Sequence, residues 1–121
     1  MQALSPLQRC KPWIEAALAR NGGECDFGDV EAGVASGKMQ LWPAEKGCLV
    51  TELVEFPQKK LISVFLGGGD LEQLADMHKD VIAWAKTQGC SGARIIGRRG
   101  WVRAFEKYGW TEKATVLAKE L

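Results

Sequence analysis

The chain has 121 residues, 46% of them hydrophobic, with 16 basic and 15 acidic side chains. This length is enough for one hydrophobic core and too short for two ordinary domains, so we expect a single domain over residues 1–121. The net charge near zero excludes a strong overall attraction to nucleic acid or to an anionic membrane. We therefore predict no membrane association and no specific nucleic-acid partner.

The cysteines are widely separated and show none of the CxxC spacing that a zinc site usually needs, so no metal site is expected. The sequence also has no signal-peptide pattern and no apolar run near the roughly 18 residues needed to span a bilayer. We expect a soluble cytoplasmic protein whose thiols are reduced. These cysteines are Cys10, Cys25, Cys48 and Cys90.

The first third of the chain reads as helical. Ser5 followed by Pro6 is a helix start signal, because serine caps the first turn and proline fits its first position. Pro12 lacks the N–H that a helix interior needs. We therefore predict that the first turn is interrupted there and that a second helical stretch runs from that point to Arg20.

The next segment predicts a short helix followed by three strands. The helix starts at Asp26 or Asp29 and ends at Ser36, before a glycine. The hydrophobic period then changes to that of strands separated by turn residues, which is typical of an antiparallel meander. The three predicted strands cover residues 39–42, 48–55 and 60–66.

A second helix-and-strand unit follows the meander. We predict that residues 67–69, all glycine, form a turn and that Asp70 caps a long helix over residues 70–88, with Gln73 at the capping-box position. A short strand at 93–96 follows. A helix between two buried strands implies a right-handed crossover, so this strand should lie parallel to the third meander strand.

The C-terminal part predicts a last helix over residues 97–108 and a returning strand or hairpin at 110–117. Basic residues concentrate at the start of this helix, beside a tryptophan. Arginine and tryptophan are common at the energetic centres of interfaces, and we predict a partner-binding surface here; a solvated basic face is the other interpretation. The surface consists of Arg98, Arg99, Trp101 and Arg103.

The neighbours of the single histidine and of the tryptophans predict where these side chains lie. His78 follows Asp76 and precedes two charged residues, so we predict an exposed, non-catalytic side chain. Trp101, between glycine and arginine, either caps the sheet or belongs to the partner-binding surface. The tryptophans predicted to lie in the core are Trp13, Trp42 and Trp84.

The order of elements resembles that of the GNAT (Gcn5-related N-acetyltransferase) superfamily. The most specific match is Phe105-Glu106-Lys107-Tyr108-Gly109-Trp110, which is similar to the family's Tyr-Glu-Lys-x-Gly-Phe. The resemblance implies a single α/β domain with a mixed, mostly antiparallel sheet, a parallel βαβ crossover and helices on both faces. It also implies one further initial strand, for which only residues 1–4 are available.

The resemblance implies an acyl-CoA site where the third meander strand meets the long helix. The family places a motif of the type Gln/Arg-x-x-Gly-x-Gly/Ala there, and backbone N–H groups bind the pyrophosphate. This chain has the glycines but no basic or amide residue before them, and Asp70 and Glu72 put carboxylates in the first helical turn. The equivalent cofactor positions are Leu66, Gly67, Gly68 and Gly69.

A second difference concerns proton transfer. Many family members have a tyrosine at the position of Phe105, where its hydroxyl protonates the departing thiolate, and here Tyr108 would have to replace it. Glu52 or Glu55 could act as the general base, although each is also typical of an outward residue on a half-exposed strand.

Two functions follow from these patterns. In the first, the chain is a non-catalytic GNAT-fold protein, similar to small GNAT-like proteins of tailed bacteriophages, and contacts a protein partner as a virion or assembly component. It would then need no cofactor and would lie in the host cytoplasm or the virion. In the alternative, it is an acetyl-CoA-dependent N-acetyltransferase with an atypical cofactor site. Fold alone does not distinguish them.

Overall fold

A computed structural model describes residues 4–121 and contains four helices and one four-stranded sheet over that range. In chain order the elements are α1 (Pro6–Arg20), α2 (Phe27–Ser36), β1 (Met39–Ala44), β2 (Gly47–Phe56), β3 (Lys59–Gly69), α3 (Leu71–Thr87), β4 (Gly92–Ile95) and α4 (Arg99–Glu106). No helix in the described range is both long enough and apolar enough to cross a bilayer.

The sheet is mixed, as the sequence predicted. Its strand order is β1-β2-β3-β4, with β1, β2 and β3 antiparallel and β4 parallel to β3. The helix α3 makes the crossover between the two parallel strands. The predicted meander, the crossover and the fold class are confirmed.

Helices cover both faces of the sheet because consecutive strand residues point to opposite faces. One cluster packs α1 and α2 on the sheet and contains Cys10, Ile14, Val30, Cys48, Val50 and Leu66. The other packs α3 on the opposite face and contains Leu49, Ile62, Val64, Leu74, Val81 and Ala85. Trp13, Trp42 and Trp84 pack half-buried against these clusters.

The strand β3 carries an irregularity that shapes the site. Val50 of β2 pairs with Leu66, and the next residue of β2 pairs with Val64, so Phe65 between them has no partner. The pairing of β3 with β4 ends at Val64 and Ile95. Beyond this point β3 pairs only with β2, and an opening separates its other edge from the chain after β4.

The prediction of a helix break at Pro12 is wrong. The helix α1 is continuous from Pro6 to Arg20 with Pro12 inside it. Proline removes one hydrogen bond from a helix interior. Cys10 and Ile14 on either side of it are nevertheless fully buried against the sheet, and this packing keeps the helix in one piece.

The prediction of a turn at residues 67–69 is also wrong. The strand β3 runs to Gly69, and its three glycines pair with Leu49, Cys48 and Gly47 of β2. Strand pairing uses backbone groups, so low strand propensity did not end the strand. Of these three glycines, only Gly69, with φ of 105°, adopts a backbone conformation that favours glycine. It turns the chain into α3.

The predicted strand at residues 110–117 is wrong as well. No strand follows β4 in the part of the chain that the structure describes, and residues 111–121 are exposed without regular structure. A strand needs a paired neighbour, and this segment does not pair with β4. The possible initial strand at residues 1–4 lies outside the described residues except for Leu4, which is not in a strand.

Candidate functional site

A cavity of about 360 Å³ lies where β3 passes into α3. It brings together two groups that sequence reasoning kept apart, the predicted cofactor glycines and the predicted partner-binding residues. Its wall consists of Gly67, Gly68, Gly69, Leu71, Leu74, Arg98, Arg99, Gly100 and Trp101. Arg103 is exposed on α4 and does not belong to this wall.

A second cavity, of about 420 Å³, lies beside the first on the α1 side of the opening. Ala17 and Asn21 form part of it, and so do Phe65 and Leu66 of β3. The Asn21 side-chain amide donates to the Phe65 carbonyl at 3.3 Å, which gives the unpaired strand residue a hydrogen-bond partner. The two cavities share Gly67, Arg98 and Trp101.

The side chain of Trp101 forms the wall between these cavities. It is half-buried and stacks on Phe105, with ring centroids 5.6 Å apart and an interplanar angle of 4°. Its indole also lies directly against the backbone of Gly67 and of Gly97. Sequence reasoning left open whether Trp101 caps the sheet, and no local pattern could reveal its contact with the distant Gly67.

The N-terminus of α3 is closed by groups of the protein itself. Asp70 Oδ1 accepts the Gln73 N–H at 3.1 Å, and the Asp70 N–H donates to the Lys46 carbonyl at 2.8 Å. The Gln73 side chain reaches the β1–β2 turn, where its Oε1 accepts the Lys46 N–H at 2.6 Å. Glu72 adds a second carboxylate to the first turn of α3. Backbone donors that could bind an anion are thus reduced, and the local charge is negative.

The start of α4, on the other side of the cavity, is positively charged. Arg98 occupies the cap position and makes no side-chain capping bond. Arg98 and Arg99 are exposed at the cavity rim, and Arg103 is exposed one turn further along the helix. An anionic ligand or an acidic partner would therefore be attracted to α4 rather than to α3.

His78 is buried, with 6% of its surface exposed, so the prediction of an exposed side chain is wrong. Its Nδ1 contacts the Ala75 carbonyl, and its Nε2 accepts the indole N–H of Trp110 at 3.2 Å. These partners require a neutral ring with its hydrogen on Nδ1. The Phe105 and Tyr108 rings meet the imidazole at centroid distances of 5.0 and 4.8 Å.

The structure does not bring Tyr108 into either cavity wall. Its half-buried ring packs on His78, and Lys79 Nζ lies 5.2 Å from its centroid. Phe105, at the position where the resembled family has tyrosine, is fully buried behind Trp101.

The two candidate bases also stand outside both cavity walls. Glu52 is half-buried on β2 opposite Ser63, and Glu55 is exposed. A Glu55 carboxylate oxygen lies 4.0 Å from Lys60 Nζ. These positions of Glu52 and Glu55 fit the interpretation of both as outward residues of a half-exposed strand.

Cys10, Cys25 and Cys48 belong to the packing around α1 and α2, whereas Cys90 packs on the α3 face of the sheet. Burial, and then its neighbour Cys10, raises the pKa of the Cys48 thiol far above its ordinary value. Burial, followed by the nearby Asp29 carboxylate, raises the pKa of Cys25. The thiols of Cys48 and Cys25 therefore stay neutral at physiological pH.

No protein-family model matches this sequence. No curated protein matches it. Its structure is similar to solved acetyltransferases that share little sequence with it.

Three of these structures cover most of both chains. A predicted acetyltransferase from Clostridium acetobutylicum, solved with acetyl-CoA, has a TM-score of 0.70 at 10% identity, and 94% of this chain and 89% of that chain are covered. Glucosamine-6-phosphate N-acetyltransferase from Arabidopsis thaliana gives 0.68 at 13%, with 98% and 95% covered. A GNAT family acetyltransferase from Staphylococcus aureus gives 0.60 at 9%, with 99% and 95% covered. The chain therefore has the fold of the GNAT acetyltransferases.

Proposed function

We propose that this protein is a non-catalytic member of the GNAT fold class that binds a protein partner through Arg98, Arg99, Trp101 and Arg103. The observation that carries the proposal is the closed N-terminus of α3. Asp70 caps it and Gln73 ties it to the β1–β2 turn. A diphosphate would find two of the backbone donors here already bonded, those of Asp70 and Gln73, and would face the Asp70 and Glu72 carboxylates.

The positions of the candidate catalytic groups support the same proposal. Acid and base catalysis requires a side chain within hydrogen-bond reach of the reacting atoms, directly or through one water. Tyr108, Glu52 and Glu55 are absent from both cavity walls. A ligand in either cavity would therefore lack the proton donor and base that the sequence suggested.

The basic rim supports an acidic partner surface. Arg98, Arg99 and Arg103 are exposed, and no ion pair involves any of them within residues 4–121. Arginine beside an aromatic ring combines charge with apolar contact area, a combination common at interface centres. We propose a partner with carboxylates at matching spacing.

The second candidate function is acetyl transfer from acetyl-CoA. It is favoured by the similarity to acetyltransferases, one of them solved with acetyl-CoA, and by the glycine-lined cavity. The backbone of Gly67, Gly68 and Gly69 and the Leu66 position would face the cofactor. Since the chain spans nearly the full length of these enzymes, its size does not argue against activity.

The narrower proposal is a virion or assembly component of a tailed bacteriophage, located in the host cytoplasm or in the virion. Its support is the resemblance of a small GNAT-like chain with a weak cofactor motif to such phage proteins. Mass spectrometry of purified particles and of assembly intermediates isolated from infected cells tests it, and absence of the chain from both would contradict it.

A titration with acetyl-CoA and CoA separates the two functions. Binding restricted to the folded state raises stability by about 2.7 kcal/mol at a hundredfold excess over Kd. We expect no thermal shift and no heat of binding at sub-millimolar ligand. Saturable binding by the unmodified protein would contradict the non-catalytic proposal and favour the enzyme.

A further inference from the structure

The two cavities lie on opposite faces of the sheet, on either side of a gap in it. Leu71 and Leu74 of α3 form part of the first wall, whereas Ala17 and Asn21 of α1 form part of the second. The pairing of β3 with β4 stops at Val64, so no backbone ladder closes the sheet beyond that residue. The backbone therefore leaves a passage through the sheet, between the end of β3 and the chain after β4.

The indole of Trp101 fills that passage. A Cβ at Gly67 would lie 2.9 Å from Trp101 Cζ2 and closer still to Cη2, so the ring rests on the bare backbone of β3. A Cβ at Gly97, after β4, would lie 3.3 Å from Cγ and Cδ2 of the same ring. The indole thus touches both edges of the gap, and the absence of side chains at both glycines allows it to do so.

We infer that Trp101 is a specificity-determining plug that divides one through-sheet cleft into two smaller cavities. This inference rests on the proposal that the unmodified protein does not bind acyl-CoA. Without the indole, the two cavities, of about 360 and 420 Å³, join at their shared residues. A joined volume of this size is in the range of small-molecule sites, about 300–1,000 Å³.

The wall of the joined cleft indicates the ligand class. Arg98 and Arg99 supply positive charge at one rim, and Leu71 and Leu74 supply apolar surface below it. Backbone groups of β3 after Val64 that point away from β2 have no strand partner and can pair with an amide. The expected ligand is elongated, with an anionic end and an amide-containing stem, and acetyl-CoA is the probe of that class.

The test compares acetyl-CoA binding by the wild type with that of Trp101→Ala and Trp101→Leu, measured by calorimetry. The leucine variant keeps part of the contact with Phe105, so it stays useful if the alanine variant folds poorly. Urea denaturation checks folding. The matched control is Trp84→Ala, which removes a half-buried indole that lines neither cavity.

We expect at least one folded Trp101 variant to bind acetyl-CoA at least about tenfold more tightly than the wild-type detection limit, while the Trp84 control does not. Adding Arg98→Ala and Arg99→Ala to that variant should remove most of the gain, because these arginines hold the anionic end. A gain that survives this change would contradict the assigned ligand orientation.

A contact test accompanies the binding test. Gly67→Ala should destabilise the wild type, since the new methyl group meets the indole. It should cost less in Trp101→Ala, where the contact with Leu49 Cδ2 at 3.0 Å remains. Equal costs in both backgrounds would overturn the plug. If neither the wild type nor a folded Trp101 variant binds, the plug is overturned and the non-catalytic proposal stands. If the wild type binds and the variants bind tenfold more tightly, the non-catalytic proposal is overturned and the plug stands. Equal binding by the wild type and the variants overturns both the plug and the non-catalytic proposal.

Discussion

The indole N–H of Trp110 donates a 3.2 Å hydrogen bond to Nε2 of the buried His78, and this contact ties the chain after α4 to the middle of α3. The backbone N–H of Trp110 donates to the Phe105 carbonyl at 3.4 Å, so the residue is held at two points. Beyond Trp110 the described chain is exposed. Further along this segment, Val116 and Ala118 line the second cavity.

Trp110→Phe should lower the free energy of unfolding by about 1–2 kcal/mol, because it keeps an aromatic ring but leaves Nε2 of His78 without its donor. Urea denaturation measures the loss. Trp84→Phe is the control, since no side-chain hydrogen bond involves that indole in the described chain. Equal losses in the two variants would show that the hydrogen bond adds nothing beyond ring packing.

Asp70→Asn with Glu72→Gln should improve acetyl-CoA binding over the wild type. Both substitutions remove a negative charge near the cavity, and asparagine retains the cap on Gln73. Calorimetry at low ionic strength measures the change, and added salt should reduce it. Asp76→Asn with Asp80→Asn removes the same charge from exposed positions further along α3 and should have no effect. A similar gain in both double variants would contradict a local role for Asp70 and Glu72.

Arg99→Ala with Arg103→Ala should weaken retention on a polyglutamate resin, the probe for an acidic partner surface. Both side chains are exposed on α4, so the melting temperature should fall by no more than a few degrees. Lys38→Ala with Lys59→Ala removes equal charge from exposed positions elsewhere and is the control. If the control elutes as early as the arginine variant, net charge rather than this surface determines retention. Unfolding of the arginine variant would show that these residues are structural.

Stability should decline at alkaline pH because of Cys48. Burial raises the pKa of this thiol in the folded state, whereas the unfolded thiol titrates near 9.0. Below pH 9 both states hold the proton; above it only the unfolded state loses it, so the free energy of unfolding falls by up to about 1.4 kcal/mol per pH unit. Urea denaturation from pH 7.5 to 10 should show a shallower decline for Cys48→Ala than for the wild type. Cys90→Ala is the control, and identical slopes for all three proteins would contradict the assignment.

Much of the fold could be predicted because its signals are local. Asp70 followed by Gln73 predicted the start of α3, and the structure has that capping bond. The changing hydrophobic period predicted the three meander strands and the parallel β4. Pro12 was misjudged because local propensity carries no information on the packing of Cys10 and Ile14.

The site was harder to predict because its contacts join distant residues. The meeting of Trp101 with Gly67 depends on where β4 and α4 are placed in space. The helical spacing of His78 indicated burial, but the charged residues beside it led to the prediction of an exposed side chain. It lies four residues after Leu74 and three before Val81, on the buried stripe of α3, although its immediate neighbours are charged.

The three glycines at the end of β3 have a consequence for how this protein can evolve. Each faces a different part of the molecule: Gly67 meets Trp101, Gly68 meets Trp13, and Gly69 meets the turn before β2. A larger residue at Gly67 or Gly69 must displace Trp101 or the β1–β2 turn, whereas one at Gly68 requires a smaller shift of Trp13. A new ligand site at this segment therefore requires changes in the elements packed on it as well as in the glycines themselves.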